Sequence, residues 1–478
     1  MQFTVPSPRA RLGIAALLIL GVSSCSDGGS DDGLDSRVYP TRSEHVASLQ
    51  PWLDGELGVW AAPPELQLER MTTAVPWPRG LVIAEGQLIV LARGRHRRAG
   101  GVDPSIEDFA GNLYRVDMNV SEPVVAGEPA GAAVAANAEL LAEPTAPPFQ
   151  LYDRSLGAPL RDTRMDRPYC TLRFDEQSRN LFLCGFSGVD LPFARFRKNG
   201  GDTIQRYDLR TGQWNAVEAH NPNQLGEADL SYTVSNDHFP HHDPAANPAP
   251  HGWLNGADCL WVVGDYLYAG AKDNHRIVRY ELAGIRADAA AGPPESVPVL
   301  GSHYRLRLGE EVREIDLYGP SALVARDGWL YVGFRTSCAV IRLPLDERGA
   351  LKAGEPGELL AVFEPWNGTK RVSADLMDMH FGPGGELYVV CSRMGRIWNL
   401  GVPDGSRVLD GRWESGAQPW LDLPKLSGTD KARTGNIAFD DQDRLYLCSG
   451  NYDASQPKAG YKAGLPGVIY RATKSSGQ

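Results

Sequence analysis

What this chain of 478 residues lacks narrows its class before any motif is weighed. After the apolar stretch at residues 12–22, no segment approaches the roughly 20 apolar residues that a membrane-spanning helix requires. There is no basic excess either: 48 Lys and Arg stand against 59 Asp and Glu, a formal charge of −11. The cationic footprint that neutralises phosphates is therefore missing, and nucleic acid is excluded as an expected partner. The one basic cluster, RGRHRR at residues 93–98, reads as a solvated loop. No GxSxG elbow, P-loop or Rossmann glycine pattern sits in a strand-turn-helix setting. The absence of CxxC and CxxCH removes zinc ribbons and attached haem. The apolar runs also lack a 3.6-residue period, so little helix is expected.

Residues 1–24 carry Arg9 and Arg11 ahead of an apolar stretch too short to span a bilayer, the layout of an export signal. Val22, Ser23, Ser24 and Cys25 together resemble a bacterial lipobox. That resemblance implies cleavage before Cys25 and acylation of Cys25, with the acyl chains holding the protein to a membrane. Ser26 resembles the outer-membrane sorting pattern; the alternative is an ordinary secretory signal with an accidental cysteine. Residues 25–43 are rich in Ser, Gly and Asp and read as a flexible tether, and residues 44–478 read as the folded domain. Losing the leader removes two arginines and no acid, which moves the formal charge from −11 to −13. The expected location is the bacterial envelope, as an outer-membrane lipoprotein.

What is present is a repeat. Six apolar runs contain the pairs Leu88-Ile89, Leu181-Phe182, Leu267-Tyr268, Leu330-Tyr331, Leu387-Tyr388 and Leu445-Tyr446. Each is followed by a second run, LYRV from Leu113, IQRY from Ile204, IVRY from Ile277, VIRL from Val340, RIWNL from Arg396 and VIYR from Val468. Short strands joined by turns and repeated along the chain predict an all-β, six-bladed β-propeller of four-stranded antiparallel blades. A seventh blade hidden in residues 118–169 is the competing reading, but that stretch is dominated by Ala, Pro and Glu. Few residues follow Arg471, so the alternating segment 65–70 is expected to complete the last blade and close the ring. Connectivity gathers the long loops, residues 93–112, 118–169, 185–203, 217–256 and 449–467, on one face.

Six cysteines follow Cys25. In an oxidising envelope an even number allows complete pairing, and antiparallel pairing brings Cys170 nearly opposite Cys184, within reach of a bridge; alternatively all six are small buried hydrophobes.

Aligning the inner hairpins by their Leu-Tyr pairs places one residue per blade at the rim of the loop-bearing face: Arg79, Thr171, Asp258, Ser321, Asp378 and Asn436. Carboxylates, an amide, hydroxyls and a guanidinium converging on one mouth suit a polar ligand, and Asp258, Asp378 and Asn436 are hard oxygen donors for a divalent cation. Alternatively these groups hydrogen-bond neighbouring strands and waters. His380 lies two residues after Asp378, so it shares that face of its strand as a candidate general base with Asp378, or else is a satisfied core histidine. A second candidate metal set is His241, His242 and His251, with Asp243, on the loop that leads to Asp258; solvated histidines are the alternative.

DNHRIVRY at residues 273–280 resembles the NHL repeat, while LNGADCLWVVGDYLYAG and RTGNIAFDDQDRLYLC resemble the inner strands of six-bladed propellers of the SMP-30/gluconolactonase type. The resemblance implies a calcium or zinc ion held at the axis by Glu, Asn and Asp, and hydrolysis of sugar lactones. Asn436 and either Asn255 or Asp258 stand at such Asn and Asp positions. The Glu is absent, because Arg79 occupies its place in the first inner strand. The leading expectation is an envelope propeller that holds a small polar molecule or divalent cation at the axial mouth, with lactonase-like hydrolysis as its enzymatic form. The alternatives are a quinone-dependent sugar or alcohol dehydrogenase, using His275, Arg79 and Asn436, and a scaffold that holds envelope protein partners.

Overall fold

Runs rich in Val, Ile, Leu and Tyr, cut by Gly, Asp and Asn, fold as antiparallel hairpins in the computed structural model. The structure describes residues 63–76, 78–92, 111–125, 128–143, 152–153, 158–159, 169–185, 203–219, 257–272, 276–287, 295–296, 303–308, 310–364, 374–405, 407–412, 415–427, 433–450 and 467–475. The leader, Cys25, the tether, most of the long loops, Asn255, His275 and the histidines His241, His242 and His251 lie outside them.

A closing strand, β1 (Leu66–Thr72), precedes six inner strands: β2 (Pro78–Ala84), β3 (Tyr169–Asp175), β4 (Ala257–Val263), β5 (Pro320–Arg326), β6 (Leu376–Phe381) and β7 (Arg433–Phe439). The last described strand is β8 (Val468–Lys474). Inner strands pack side by side in chain order and β7 returns to β2, a closed circuit around one axis. Each inner strand heads a radial sheet, and apolar clusters fill every junction between neighbouring sheets, for instance Leu81, Leu88 and Val90 of the first against Tyr446 and Cys448 of the last. This is an all-β propeller. Helix is confined, among the described residues, to Ala132–Ala135, Leu282–Arg286, Leu423–Ser427 and one 3-10 turn, Ser392–Met394.

The sheets are not uniform. Four have four strands, while that of β7 has five and that of β5 seven. The extra strands of the β5 sheet attach in parallel to its outer strand Gly357–Phe363, through His303–Leu308 at one end and Leu409–Gly411 at the other. In the β7 sheet, β1 pairs antiparallel with β8 from Leu66↔Lys474 to Thr72↔Ile469. The edge that β8 would otherwise leave open is thereby covered from the other end of the domain. Leu68 and Met71 of β1 are buried in the two clusters that flank this sheet.

Short turns stand at one end of the inner hairpins and the long loops at the other. Arg326 pairs with Trp329 across Asp327 and Gly328, with φ angles of 51° and 76°, the two-residue geometry that follows strand twist. The opposite ends carry a shared irregularity: register shifts fall between Pro78 and Gly80, Ala257 and Cys259, Pro320 and Ala322, Leu376 and Asp378, and Thr434 and Ile437. In β3 the same bulge leaves Cys170 unpaired, because Tyr169 faces Gly185 while Thr171 faces Cys184. The expected Cys170 to Cys184 bridge is corrected accordingly: Cys184 sits across from Thr171 and, like Cys259, Cys338, Cys391 and Cys448, is a buried thiol outside any disulfide.

Candidate axial site

The bulges aim the first residues of the inner strands at the axis, at the end that bears the long loops. Arg79, Asp258 and Ser321 are the unpaired bulge residues of β2, β4 and β5. Thr171 and Asp378 stand one position further along, paired with Cys184 and Val390, and Asn436 shares a two-residue bulge with Gly435. The six therefore occupy two adjacent registers rather than one. Counting back from the Leu-Tyr pair assumes equal turns, whereas two-residue turns in the sheets of β2, β4 and β5 contrast with longer ones in those of β3, β6 and β7.

All six are buried: Arg79 is 9% exposed and the others at most 2%. Two are already engaged. Ser321 Oγ donates to the Leu376 carbonyl at 2.7 Å and so ties β5 to β6. Asp378 accepts from Arg173 Nη2 through Oδ1 and from the Ile437 backbone N–H at 2.9 Å through Oδ2. Arg173 projects from β3, so its ion pair with Asp378 crosses the axis between opposite sides of the ring. It also donates to the Leu172 carbonyl at 2.9 Å and lies 5.1 Å over the Trp261 ring. This strut floors the mouth. Below it, His380 Nδ1 is 2.8 Å from the Phe381 carbonyl, and its ring packs 6.1 Å from those of Trp261 and Phe439. Burial among these rings lowers the His380 pKa, although the Phe381 carbonyl and Asp378 pull the other way. Both oxygens of Asp378 are already engaged, and His380 is half-buried against Trp261 and Phe439.

Other polar atoms near the starts of the inner strands are unanswered. Thr171 Oγ1, Asp258 Oδ2, Asn436 Oδ1, Thr434 Oγ1 and Arg173 Nε are buried without a hydrogen-bond partner. The Arg79 guanidinium reaches Met377 Sδ at 3.2 Å, a weak acceptor, and has no carboxylate partner among the described residues. The backbone fixes its place: Cys448 Sγ donates to the Arg79 carbonyl at 2.8 Å and to that of Asn436 at 3.5 Å, which locks the mouth ends of β2 and β7 together. Burial raises the thiol pKa of Cys448 to about 12, and burial together with the Asp258 charge raises that of Cys259, so both are inert spacers.

Arg173 and Thr434 are the buried polar residues at this end of the ring that the sequence reasoning missed. The signal was available for Arg173, a lone cation in the middle of an apolar inner strand; Thr434, at a strand start, had none. The donor set does not fit a divalent cation of the Glu-Asn-Asp kind. Asp378 is committed to Arg173, and a buried guanidinium, Arg79, stands at the position where the Glu ligand is needed. Among the described residues no group of three or more His, Cys, Asp or Glu is placed to hold a metal.

No family model and no curated protein matches the sequence. Several solved propellers are similar in structure at low identity. The PQQ-bound aldose sugar dehydrogenase of Streptomyces coelicolor is 15% identical, with 86% of this chain and 99% of that one covered and a TM-score of 0.43. The apo aldose sugar dehydrogenase of Escherichia coli is 11% identical over 86% and 100%, with a TM-score of 0.44. The calcium-binding protein regucalcin of Agrobacterium tumefaciens is 11% identical over 86% and 95%, with a TM-score of 0.39.

Proposed function

We propose that this protein is a six-bladed, lipid-anchored envelope propeller that binds a small, hydroxyl-bearing polar molecule in its axial mouth. The observation behind this reading is the set of buried, unanswered oxygens contributed by three sheets: Thr171 Oγ1, Asp258 Oδ2, and Thr434 Oγ1 with Asn436 Oδ1. A buried polar atom without a partner costs about 1–3 kcal/mol, and a cluster of them in one mouth is retained at a cost that a ligand's hydroxyls offset. Six blades are supported by the closed circuit of six inner strands. Binding rather than lactone hydrolysis is favoured, since the Asp378 carboxylate is paired with Arg173 and the His380 ring packs edge-on against Trp261 with its Nδ1 against the Phe381 carbonyl.

Calorimetric titration of the mature protein with erythritol, and separately with calcium chloride, tests the reading. Heat from erythritol, weakened at least tenfold in Asp258→Asn and Asn436→Ala, is the expected outcome. Calcium binding that disappears in Asp258→Asn, with no polyol binding, would replace the polar molecule by a cation.

A further inference from the structure

We infer that the ligand of the axial mouth is a small hydroxy-carboxylate, whose carboxylate pairs with the Arg79 guanidinium while its hydroxyls meet Asp258, Asn436 and the threonines. The inference rests on the reading of this mouth as a binding site and adds the ligand's charge.

The other central cation is answered: Arg173 faces the Asp378 carboxylate. Arg79 is buried to a similar degree, yet its one hydrogen-bond acceptor among the described residues is a thioether. A buried guanidinium without an anion is unfavourable, and a carboxylate is the group whose two oxygens match its fork of N–H donors. The surroundings sort by chemistry around the ring. Arg79 reaches from β2 to Met377 on β6, and β7, the strand between them in the ring, carries the unanswered Thr434 Oγ1 and Asn436 Oδ1. Thr434 is a donor for the carboxylate and Asn436 Oδ1 an acceptor for a hydroxyl on the adjacent carbon. On β4 the unanswered Asp258 Oδ2 accepts from a more distant hydroxyl and repels a second carboxylate. One anionic end and a neutral hydroxylated end follow. An inorganic anion satisfies Arg79 but leaves Asp258 unanswered, and a neutral polyol does the reverse.

The test compares D-erythronate with erythritol, which differ by a carboxylate in place of a hydroxymethyl group. Both are titrated calorimetrically at fixed ionic strength into the full mature protein and into Arg79→Met, Arg79→Lys and Asp258→Asn. D-erythronate is expected to bind the parent protein at least tenfold tighter than erythritol. Arg79→Met abolishes that preference, and Arg79→Lys retains part of it. Asp258→Asn weakens both. Because the guanidinium is uncompensated without ligand, Arg79→Met is also expected to raise the thermal midpoint of the ligand-free protein, the opposite of what loss of a structural contact does. Equal binding of the two molecules in the parent protein, or a lowered midpoint in ligand-free Arg79→Met, overturns the carboxylate and leaves the axial site standing. Failure of both molecules to bind the parent protein removes the axial site itself.

Discussion

The contrast between Arg173 and Arg79 is the most consequential fact at the level of single residues. Two guanidinia enter one buried space; one has a carboxylate and the other does not. The paired one is structural. Removing one partner of a buried ion pair leaves the other charge uncompensated, so Arg173→Met is expected to destabilise the protein by about 3–5 kcal/mol in urea unfolding. Asp378→Asn in the same chain removes the stranded charge but keeps an oxygen for the Ile437 N–H. The double variant should therefore recover at least half of the loss, and a double variant no better than Arg173→Met would show that the two groups are not coupled. Neither arginine's role is readable from composition, because which cation meets which anion depends on strands more than two hundred residues apart.

Among the elements, hairpins were legible and their exact register was not. Alternation, turn residues and the Leu-Tyr pairs locate all six inner hairpins, and the strand character of residues 65–70 is visible in the alternation that becomes β1. The bulges were invisible, because one extra residue in a strand has no composition of its own, and unequal turns displaced the count from the Leu-Tyr pairs; hence Thr171 and Asp378 shared an alignment with Arg79 although they sit one position on. Bulges also explain a glycine. A Cβ on Gly435 would lie 2.3 Å from the Arg79 carbonyl oxygen and 2.4 Å from Cys448 Sγ, so β7 and β2 approach this closely only with no side chain there. Gly435→Ala is expected to force the mouth ends of the first and last sheets apart. It should lower stability by about 1–3 kcal/mol in chemical denaturation.

At the scale of the whole molecule, ring closure, charge and anchoring belong together. The closing strand β1 joins β8 in the last sheet, and the proposed tether, residues 25–43, precedes it in the sequence. The formal charge of −13 that follows loss of the proposed leader would keep a tethered domain from pressing against an anionic surface. Fractionation of cells that produce the full chain is expected to recover it with membranes and to release it as soluble periplasmic protein in Cys25→Ser. Equal partitioning of the two forms would falsify the lipid anchor.

Periodicity, turn chemistry and repeat spacing determined by themselves that this chain builds an all-β propeller and which runs become its inner strands, because these are local properties carried by neighbouring residues. The tertiary structure alone decided that Asp378 is neutralised by Arg173, that His380 is walled off by Trp261 and Phe439, and that Arg79 is left without an anion. Those outcomes depend on distances across the axis, and circular closure brings together side chains between which the linear order carries no signal.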